Sequence, residues 1–261
     1  MPDGFSLALT IFLGLCLGSF ATALSWRLPR GIPIAVERSK CPSCRRVLGI
    51  VDLVPVFSWV LLRGRCRTCG SAIGWRYPLI ELATLVLCVA FYERFGLSLS
   101  TGMLFCLAPV VIAMADIDFG FRIIPDSLNV AVLLIGAATL VANAFSATDP
   151  PAFIMTHAPE AVEGMIVYGL GSWALRQGVM AALKKDPMGW GDIKFFAAAG
   201  FWQGMNPEKM AHFMLISGLS GIIIALFWKK IRKEPEFPFG PALLAAFGLL
   251  LFLEPPTFIF Q

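Results

Sequence analysis

Four cysteines form the first group of residues whose spacing could support chemistry. They occur as two Cys-x-x-Cys pairs, which 21 residues separate in a chain of 261 residues. Structural zinc takes four tetrahedral ligands, and two such pairs at this spacing are typical of a zinc site. Thiolates also bind iron, so the ligands alone leave the identity of the metal open. The sequence predicts one four-cysteine metal site, formed by Cys41, Cys44, Cys66 and Cys69.

Disulfides and a redox relay are the alternatives for these cysteines. Disulfides persist in oxidising compartments, whereas the charge distribution described below places this segment in the cytoplasm. A thiol oxidoreductase is disfavoured for a related reason, because such enzymes usually work on the outer face of the membrane. Three further cysteines lie within apolar segments and are expected to be small buried hydrophobic residues: Cys16, Cys88 and Cys106.

Aspartates at the ends of apolar segments form the second group. Acids at membrane depth are expensive and are usually functional. Two carboxylates brought together share a proton, so one can activate water while the other protonates the carbonyl and the leaving amine of a peptide. Helix capping is the alternative, and it suits Asp126 but does not explain a Gly-x-Gly-Asp sequence. The two acidic stretches are Asp116-Ile-Asp118 with Pro125-Asp126, and Gly189-Trp190-Gly191-Asp192-Ile193-Lys194.

Membrane helices are the elements that must position these residues. Hydrophobic residues make up 57% of the chain and charged residues 15%, and the mean hydropathy is +0.76. A soluble domain carries about 25% charged residues, so a soluble or a disordered chain is excluded. We predict an all-α polytopic membrane protein with about eight transmembrane helices. The segments are Phe5–Trp26, Pro78–Tyr92, Leu99–Ala115, Leu128–Phe145, Ala161–Leu183, Ile193–Gly204, Met210–Trp228 and Pro241–Leu253.

Basic residues fix the predicted orientation. The first segment is too long for a signal peptide and no basic residue precedes it, so it is expected to be a retained helix. The loop Arg27–Arg76 contains ten Lys and Arg residues. If this loop is cytoplasmic, eight helices place 19 of the 21 basic residues inside and leave the long outer loop Ser146–Glu160 without one. Both termini are then outside, and the inner cations attract anionic lipid.

At these residues the chain resembles the prepilin leader peptidase/N-methyltransferases of type IV pilus and type II secretion systems. These enzymes belong to the GxGD group of membrane aspartic proteases (peptidase A24). The similarity extends in order over nearly the whole chain. The matching stretches are Gly18-Ser19-Phe20, Arg27-Leu28-Pro29, both cysteine pairs, Asp52–Trp59, Arg63–Cys66, Arg76–Leu82, Asp118 with Pro125-Asp126, Gly189–Lys194 and Pro238–Pro241.

The resemblance implies which aspartates are catalytic. The family's first catalytic aspartate lies seven residues before the proline of the Pro-Asp pair, and that count gives Asp118, with Asp192 as its partner. Asp116 is the alternative if this register is wrong. Lys194 is expected to meet lipid phosphate or substrate, or to extend its charged end to the membrane surface. The supporting peptidase residues are therefore Gly189, Gly191, Lys194 and Asp116.

The resemblance also implies two reactions. The enzyme would cut prepilins and pseudopilins after a Gly on the cytoplasmic side of the bacterial inner membrane. It would then N-methylate the new terminal residue, usually Phe, with S-adenosylmethionine. No glycine-rich dinucleotide-type loop is present, so the methyl-transfer site must use the loop and the helix ends. Its candidates are Gly64, Arg76 and Glu81, although Arg76 and Glu81 could instead form a structural ion pair.

The implied organisation has three parts: a first transmembrane helix in 1–26, a cytoplasmic zinc loop linked to methyl transfer in 27–77, and a seven-helix peptidase domain in 78–261. Partners would be prepilin-type substrates and membrane lipid, with no nucleic acid. The basic leader of the substrate would meet acids such as Asp118, Asp192, Glu234 and Glu236.

Two other functions are considered. One is an intramembrane aspartic peptidase without methyl transfer, in which the zinc loop is only structural. The other is a proton-coupled transporter, which predicts inverted repeats and acids near the middle of the membrane. The sequence contains no such repeat, and its acids lie at the ends of the apolar segments.

Overall fold

A computed structural model of the chain describes residues 4–184, 186, 188–233 and 237–259. Within these residues the only β structure is two isolated bridges, Lys40 with Val47 and Arg65 with Ala72. Both lie in the loop Arg27–Arg76, called the cysteine loop below. The predicted all-α class is confirmed. The α-helices of the described part are α1 (Gly4–Arg27), α2 (Phe57–Leu61), α3 (Arg76–Phe95), α4 (Leu99–Phe121), α5 (Asp126–Ser146), α6 (Pro150–Leu183), α7 (Trp190–Gln203), α8 (Pro207–Arg232) and α9 (Gly240–Leu253).

Each of the eight predicted apolar segments falls on one of these helices. In the part of the chain that is described, four helical segments are long and apolar enough to cross a membrane. They are Gly4–Arg30, Leu99–Phe121, Asp126–Ser146 and Pro207–Arg232. Helices α7 and α9 have 14 residues each. At 1.5 Å per residue they extend about 21 Å, which is less than the roughly 30 Å of a hydrocarbon core. The full set of eight spans stays a prediction.

Helix α6 corrects one predicted boundary. It begins at Pro150, so most of the predicted outer loop Ser146–Glu160 is helical. The side chain of Asp149 caps the helix and accepts a hydrogen bond from the Ala152 amide at 3.2 Å. Proline is favoured at the first position of a helix, where its missing N–H is not needed. Because of this cap and this proline, α6 begins well before the apolar segment that was predicted at Ala161–Leu183.

The chain divides into two compact units, Met1–Asp116 and Ile117–Gln261. In the first unit α1 packs against α3. A Cβ on Gly18 would lie 2.7 Å from the Cα of Glu81, so only glycine allows this close crossing. Cys88 is buried as predicted, but the expectation was wrong for Cys16 and Cys106, which are exposed on their helix surfaces.

Helix α7 forms the core of the second unit. It packs against α5, α6, α8 and α9, and most of its residues are buried. At its crossing with α6, a Cβ on Gly164 would lie 2.3 Å from the carbonyl oxygen of Gly200. The indole of Trp202 donates a hydrogen bond to the Val132 carbonyl of α5 at 3.0 Å. Because Asp192 lies in the first turn of α7, this packing also fixes the position of its backbone.

Candidate active site and metal centre

The two cysteine pairs adopt the same local structure. In the first, the Cys41 amide donates to the Arg46 carbonyl at 2.9 Å, and in the second the Cys66 amide donates to the Ser71 carbonyl at 2.9 Å. The fourth residue after the first cysteine has a positive φ in both, 58° at Arg45 and 68° at Gly70. Each pair therefore lies on a tight turn closed by one β-bridge. Such a turn directs two sulfurs toward one point.

The four sulfurs come together as the spacing predicted. The Sγ atoms of Cys41, Cys44, Cys66 and Cys69 all lie within 4.8 Å of one another, and those of Cys41 and Cys69 are 3.9 Å apart. Zinc–sulfur bonds of about 2.3 Å in a tetrahedron separate the sulfurs by roughly 3.8 Å, so the residues fit a tetrahedral metal ion.

The electrostatics of the sulfurs also suit a cation. Hydrogen bonding from the Cys44 amide lowers the pKa of Cys41 to about 6. For Cys44 the hydrogen bond from the Arg46 amide is outweighed by desolvation and by the neighbouring sulfurs, which raise its pKa to about 11. One thiol thus ionises readily and its neighbour resists a second negative charge. A divalent cation removes this conflict.

Asp52 connects the two cysteine turns. Its carboxylate accepts hydrogen bonds from Arg46 of the first turn at 2.8 Å and from Arg67 of the second at 3.0 Å. It also accepts from the Gly49 amide at 3.0 Å. The Gly49 amide and the Arg67 and Arg46 side chains lower the pKa of Asp52 below its usual value. A single carboxylate therefore ties the two halves of the metal site together.

A cavity of about 600 Å³ lies in the first unit. It is lined by the aromatic rings of Trp26, Trp59 and Tyr77 and by the carboxylates of Glu37 and Glu81. Its wall also includes Ser19, Thr22, Asp52, Cys41 and Cys66. Six basic residues line it as well: Arg27, Arg38, Lys40, Arg45, Arg46 and Arg67. The volume is typical of a small-molecule site, and the wall combines aromatic rings with charged groups of both signs.

The three predicted methyl-transfer residues have different environments, and only Glu81 lines this cavity. The Glu81 carboxylate accepts a hydrogen bond from the Val56 amide at 2.6 Å. Gly64 has a φ of 66°, and a Cβ there would lie 2.9 Å from the Trp59 ring. Arg76 binds elsewhere, so it does not form the ion pair with Glu81 that was the structural alternative.

Arg76 forms its ion pair with Asp116. The Nε atom donates to both carboxylate oxygens, at 2.7 and 2.9 Å, and Nη2 donates to Oδ2. Both acids of the Asp116-Ile-Asp118 stretch lie on α4. This helix continues to Phe121, whereas the predicted apolar segment ended at Ala115. Asp116 therefore already neutralises a fixed cation within the first unit, and this is the arrangement of a structural carboxylate.

Asp118 lies in the second unit and is 5% exposed. Its Oδ2 atom accepts a hydrogen bond from the backbone N–H of Gly240, the first residue of α9, at 2.8 Å. Helix α9 also packs against α7, and Ile124, which follows α4, lies against Gly191, the residue before Asp192. The two aspartates thus share one region of the second unit, as a catalytic pair must.

Asp192 occupies the third position of α7, after the glycines of the Gly-x-Gly-Asp sequence. Its Oδ2 atom accepts a hydrogen bond from the amide of Gly189, the residue that caps the helix, at 3.1 Å. A Cβ on Gly191 would lie 2.9 Å from the carbonyl oxygen of Ile124. The carbonyl of Gly191 accepts from the side-chain amide of Asn129 at 3.2 Å. Gly191 thus has a packing role, because a side chain there would collide with the backbone of Ile124.

Lys194 forms an ion pair with Asp126, with Nζ and Oδ2 2.6 Å apart and both side chains half exposed or more. The lipid or substrate contact that was expected for the lysine stays a prediction. Glu234 and Glu236, which were expected to meet the substrate leader, lie outside the described residues.

Sequence reasoning did not find two residues that order the Gly-x-Gly-Asp segment. Asn129 is 5% exposed and holds the Gly191 carbonyl. Arg176 is 7% exposed, donates to the Met188 carbonyl at 3.0 Å and lies over the Trp190 ring. A polar residue inside an apolar segment was the available signal, but its partner could not be identified without the fold.

Comparison with known proteins agrees with this architecture. Residues 12–95 match the bacterial peptidase A24 N-terminal domain, and residues 105–226 match the type IV leader peptidase family. A prepilin leader peptidase/N-methyltransferase of Burkholderia pseudomallei strain K96243 is 32% identical over 99% of this chain and 89% of the relative. One from Bacillus subtilis strain 168 is 32% identical over 95% of this chain and 94% of the relative.

A third relative is the type 4 prepilin-like proteins leader peptide-processing enzyme of Escherichia coli O78:H11, which is 32% identical over 88% of this chain and 87% of its own length. No solved structure matches the chain significantly. Helices of membrane length and the two family matches define the class as a membrane peptidase. The chain belongs to the prepilin leader peptidase/N-methyltransferase family, which confirms the resemblance and favours the peptidase over a transporter or an oxidoreductase.

Proposed function

We propose that the chain removes the leader peptide of prepilins and pseudopilins and then methylates the new N-terminal residue. The proposal depends above all on Asp118 and Asp192. Two contacts support it: the Gly240 N–H that begins α9 donates to Asp118, and Ile124, after α4, lies against Gly191 beside Asp192. It is supported by relatives that align along nearly the whole chain and carry both activities in their names. The similarity therefore includes the rest of the chain and not only the segments of the two aspartates.

In the proposed cleavage the two carboxylates share one proton. The ionised carboxylate takes a proton from water, whose oxygen attacks the carbonyl carbon after the leader's Gly. The protonated carboxyl group gives its proton to the carbonyl oxygen. When the tetrahedral intermediate collapses and the C–N bond breaks, the leaving amine takes a proton from the carboxyl group that received one. The other carboxylate takes a hydroxyl proton of the intermediate as the C=O bond re-forms. Both carboxylates then return to their starting states.

We further propose that the cysteine loop and the aspartates are cytoplasmic, that eight helices cross the bacterial inner membrane, and that both termini are periplasmic. The concentration of basic residues in the loop supports this orientation. A leader that stays in the cytoplasm can reach the aspartates only from that side. The substrate's apolar helix would remain in the membrane.

Zinc is the proposed occupant of the four-cysteine site, where Cys41, Cys44, Cys66 and Cys69 would hold it. Four protein ligands complete a tetrahedron and leave no position for a reacting molecule, so the metal's role is structural. Ser71 supports the ligands, because its hydroxyl is 3.1 Å from the Cys69 sulfur. The metal would fix the turns that form one wall of the cavity.

The cavity of the first unit is the proposed site for S-adenosylmethionine, which supplies a methyl group on a positively charged sulfur. Trp26, Trp59 and Tyr77 offer ring faces for an adenine and for a sulfonium cation. Glu37 and Glu81 offer negative charge to the same cation, and the basic residues of the wall suit the carboxylate of the ligand's methionine part. The incoming pilin amine must lose a proton before it can accept the methyl group, and Glu81 is the proposed acceptor.

Mass spectrometry of a prepilin expressed together with the enzyme tests both activities. The wild type should give a pilin that lacks its leader and carries one methyl group on its N-terminal residue. Asp118→Asn and Asp192→Asn should each leave the prepilin uncut, whereas Asp126→Asn, which removes only an exposed ion pair, should not. Cleavage that survives both of the first two substitutions would refute the assignment.

Glu81→Gln tests the methyl-transfer site separately. Glutamine keeps an oxygen that can accept from the Val56 amide but cannot take a proton from the pilin amine. Cleavage should continue while methylation falls by about 100-fold or more, the usual range for losing a proton acceptor. Glu93→Gln on the same helix is the matched control, because Glu93 is exposed and does not line the cavity. Equal methylation by the two variants would exclude this role of Glu81.

A further inference from the structure

We propose that Gly240 is a positioning residue of the peptidase site: its backbone N–H holds the Asp118 carboxylate, and its lack of a side chain makes room for that carboxylate. This inference rests on the proposed function of Asp118. It assigns a role to the stretch Pro238–Pro241. This stretch is one of those in which the chain resembles the family, but the cleavage and methyl-transfer steps proposed above do not use it.

The contact between Gly240 and Asp118 is both buried and close. The N–H of Gly240 donates to Oδ2 of Asp118 at 2.8 Å, across 122 residues of sequence. A Cβ built on Gly240 would lie 2.7 Å from Oδ2, 2.8 Å from Cγ and 3.0 Å from the Cβ of Asp118. Carbon atoms do not approach this closely without displacement. Any larger residue at this position must therefore push the carboxylate away or move α9.

The start of α9 explains why this N–H is available. The first N–H groups of an α-helix have no partner within the helix, so Gly240 can donate to Asp118 without breaking a helical bond. The N-terminal end of a helix also favours a negative charge. Phe239, the preceding residue, packs against Gly221 of α8, where a Cβ would lie 2.8 Å from the Phe239 ring. This packing fixes the point at which α9 begins.

The peptidase site therefore has a third structural element besides α4 and α7. Asp118 sits near the end of α4, and the N–H of Gly240 fixes the orientation of its carboxylate. A water-activating or proton-donating carboxylate must lie in hydrogen-bonding reach of its target, so its orientation affects the chemical step. Binding of the substrate's apolar helix does not depend on this orientation.

Gly240→Ala in the full-length enzyme tests this role. The control is Gly248→Ala on the same helix, where a Cβ would meet no atom within 4 Å. For prepilin cleavage we expect Gly240→Ala to lower kcat by about 10- to 100-fold, the range for losing one hydrogen bond to a charged group. KM should stay within about twofold, because substrate binding is not affected. Gly248→Ala should match the wild type in both constants.

A folded Gly240→Ala enzyme with the wild-type kcat, or one whose loss appears only in KM, would overturn the proposal. If the wild-type enzyme did not cleave the prepilin, the proposed function would be wrong, whatever Gly240→Ala does. Folding is checked by thermal unfolding of the purified enzyme.

A cross-linking measurement tests the contact independently of activity and of whether Gly240→Ala folds. Asp118→Cys is combined with Gly240→Cys, because the two Cβ atoms would be close enough for a disulfide after a small shift. Oxidation followed by mass spectrometry of the digested protein should find this disulfide. The pair of Asp118→Cys with Gly248→Cys should form none. Absence of the first cross-link, or equal yields from both pairs, would contradict the placement of Gly240 against Asp118.

Discussion

Asp116→Asn should weaken the fold without removing peptidase chemistry. Asp116 and Asp118 are two residues apart, and the sequence alone leaves open which of them is catalytic. In the structure Asp116 forms a two-pronged ion pair with Arg76, whereas Asp118 accepts a hydrogen bond from the Gly240 N–H in the second unit. The two aspartates should therefore respond differently to the same substitution.

The expected loss of stability follows from the burial of the Arg76–Asp116 pair. The side chain of Asp116 is 15% exposed and that of Arg76 is 35% exposed. Removing one partner of a fully buried pair costs about 3–5 kcal/mol, and an exposed pair contributes about 0–1 kcal/mol. Because this pair is partly exposed, we expect Asp116→Asn to lower the free energy of unfolding by about 1–3 kcal/mol. That corresponds to a fall in Tm of several degrees.

A double-mutant cycle separates the ion pair from other effects. Thermal unfolding is measured for the wild type, Asp116→Asn, Arg76→Gln and the double variant. The double variant should be more stable than the sum of the single losses predicts, because it leaves no unpaired buried charge. Prepilin cleavage is measured on the same samples, and Asp116→Asn should keep kcat within about threefold, since the group lost takes no part in the transition state.

Two results would refute this reasoning. A folded Asp116→Asn enzyme that loses as much cleavage as Asp118→Asn would mean that the catalytic register has been assigned to the wrong aspartate. Additive losses of stability in the cycle would mean that Arg76 and Asp116 do not interact in the folded enzyme.

Three further predictions concern the metal site and the helix core. Cys41→Ser should reduce the zinc content of the purified enzyme to near zero, as measured by elemental mass spectrometry, while Cys16→Ser, outside the cluster, should leave it unchanged. Because the pKa of Asp52 is lowered, its contribution to stability should be constant above the usual aspartate value of about 3.9. It should disappear as the pH falls through the lowered pKa, so protease resistance of the loop should decline there in the wild type but not in Asp52→Asn. Gly136→Ala should lower the free energy of unfolding by about 1–3 kcal/mol, because its Cβ would lie 2.8 Å from the Trp202 indole nitrogen. An unchanged Tm would contradict that packing.

Local sequence patterns predicted much of this architecture. Apolar runs located the helices because each helix needs an apolar surface along its length. The cysteine spacing led to four clustered sulfurs because a Cys-x-x-Cys turn is a local structure that two separate segments can form in the same way. The start of α6 was missed because the signal lies in a cap and a proline, Asp149 and Pro150, and not in hydropathy.

Contacts between distant segments could not be predicted in the same way. The partner of Arg76 is 40 residues away and that of Asp118 is 122 residues away. Several acids were available to Arg76, and only the packing of the helices selects Asp116. Gly240 was noticed only as part of the Pro238–Pro241 stretch that resembles the family, and its role could not be predicted, since its contribution is a backbone N–H and the absence of a side chain. Asn129 likewise acts on a backbone carbonyl that no motif identifies.

Asp192→Asn, given two substrates in turn, is the most direct test of the central claim. One substrate is an intact prepilin, and the other is a pilin that has already lost its leader and has a free N-terminal amine. The account predicts that the purified variant leaves the prepilin uncut but methylates the second substrate at the wild-type rate, because the carboxylate lost belongs only to the peptidase pair. Continued cleavage of the prepilin by this variant would contradict the account.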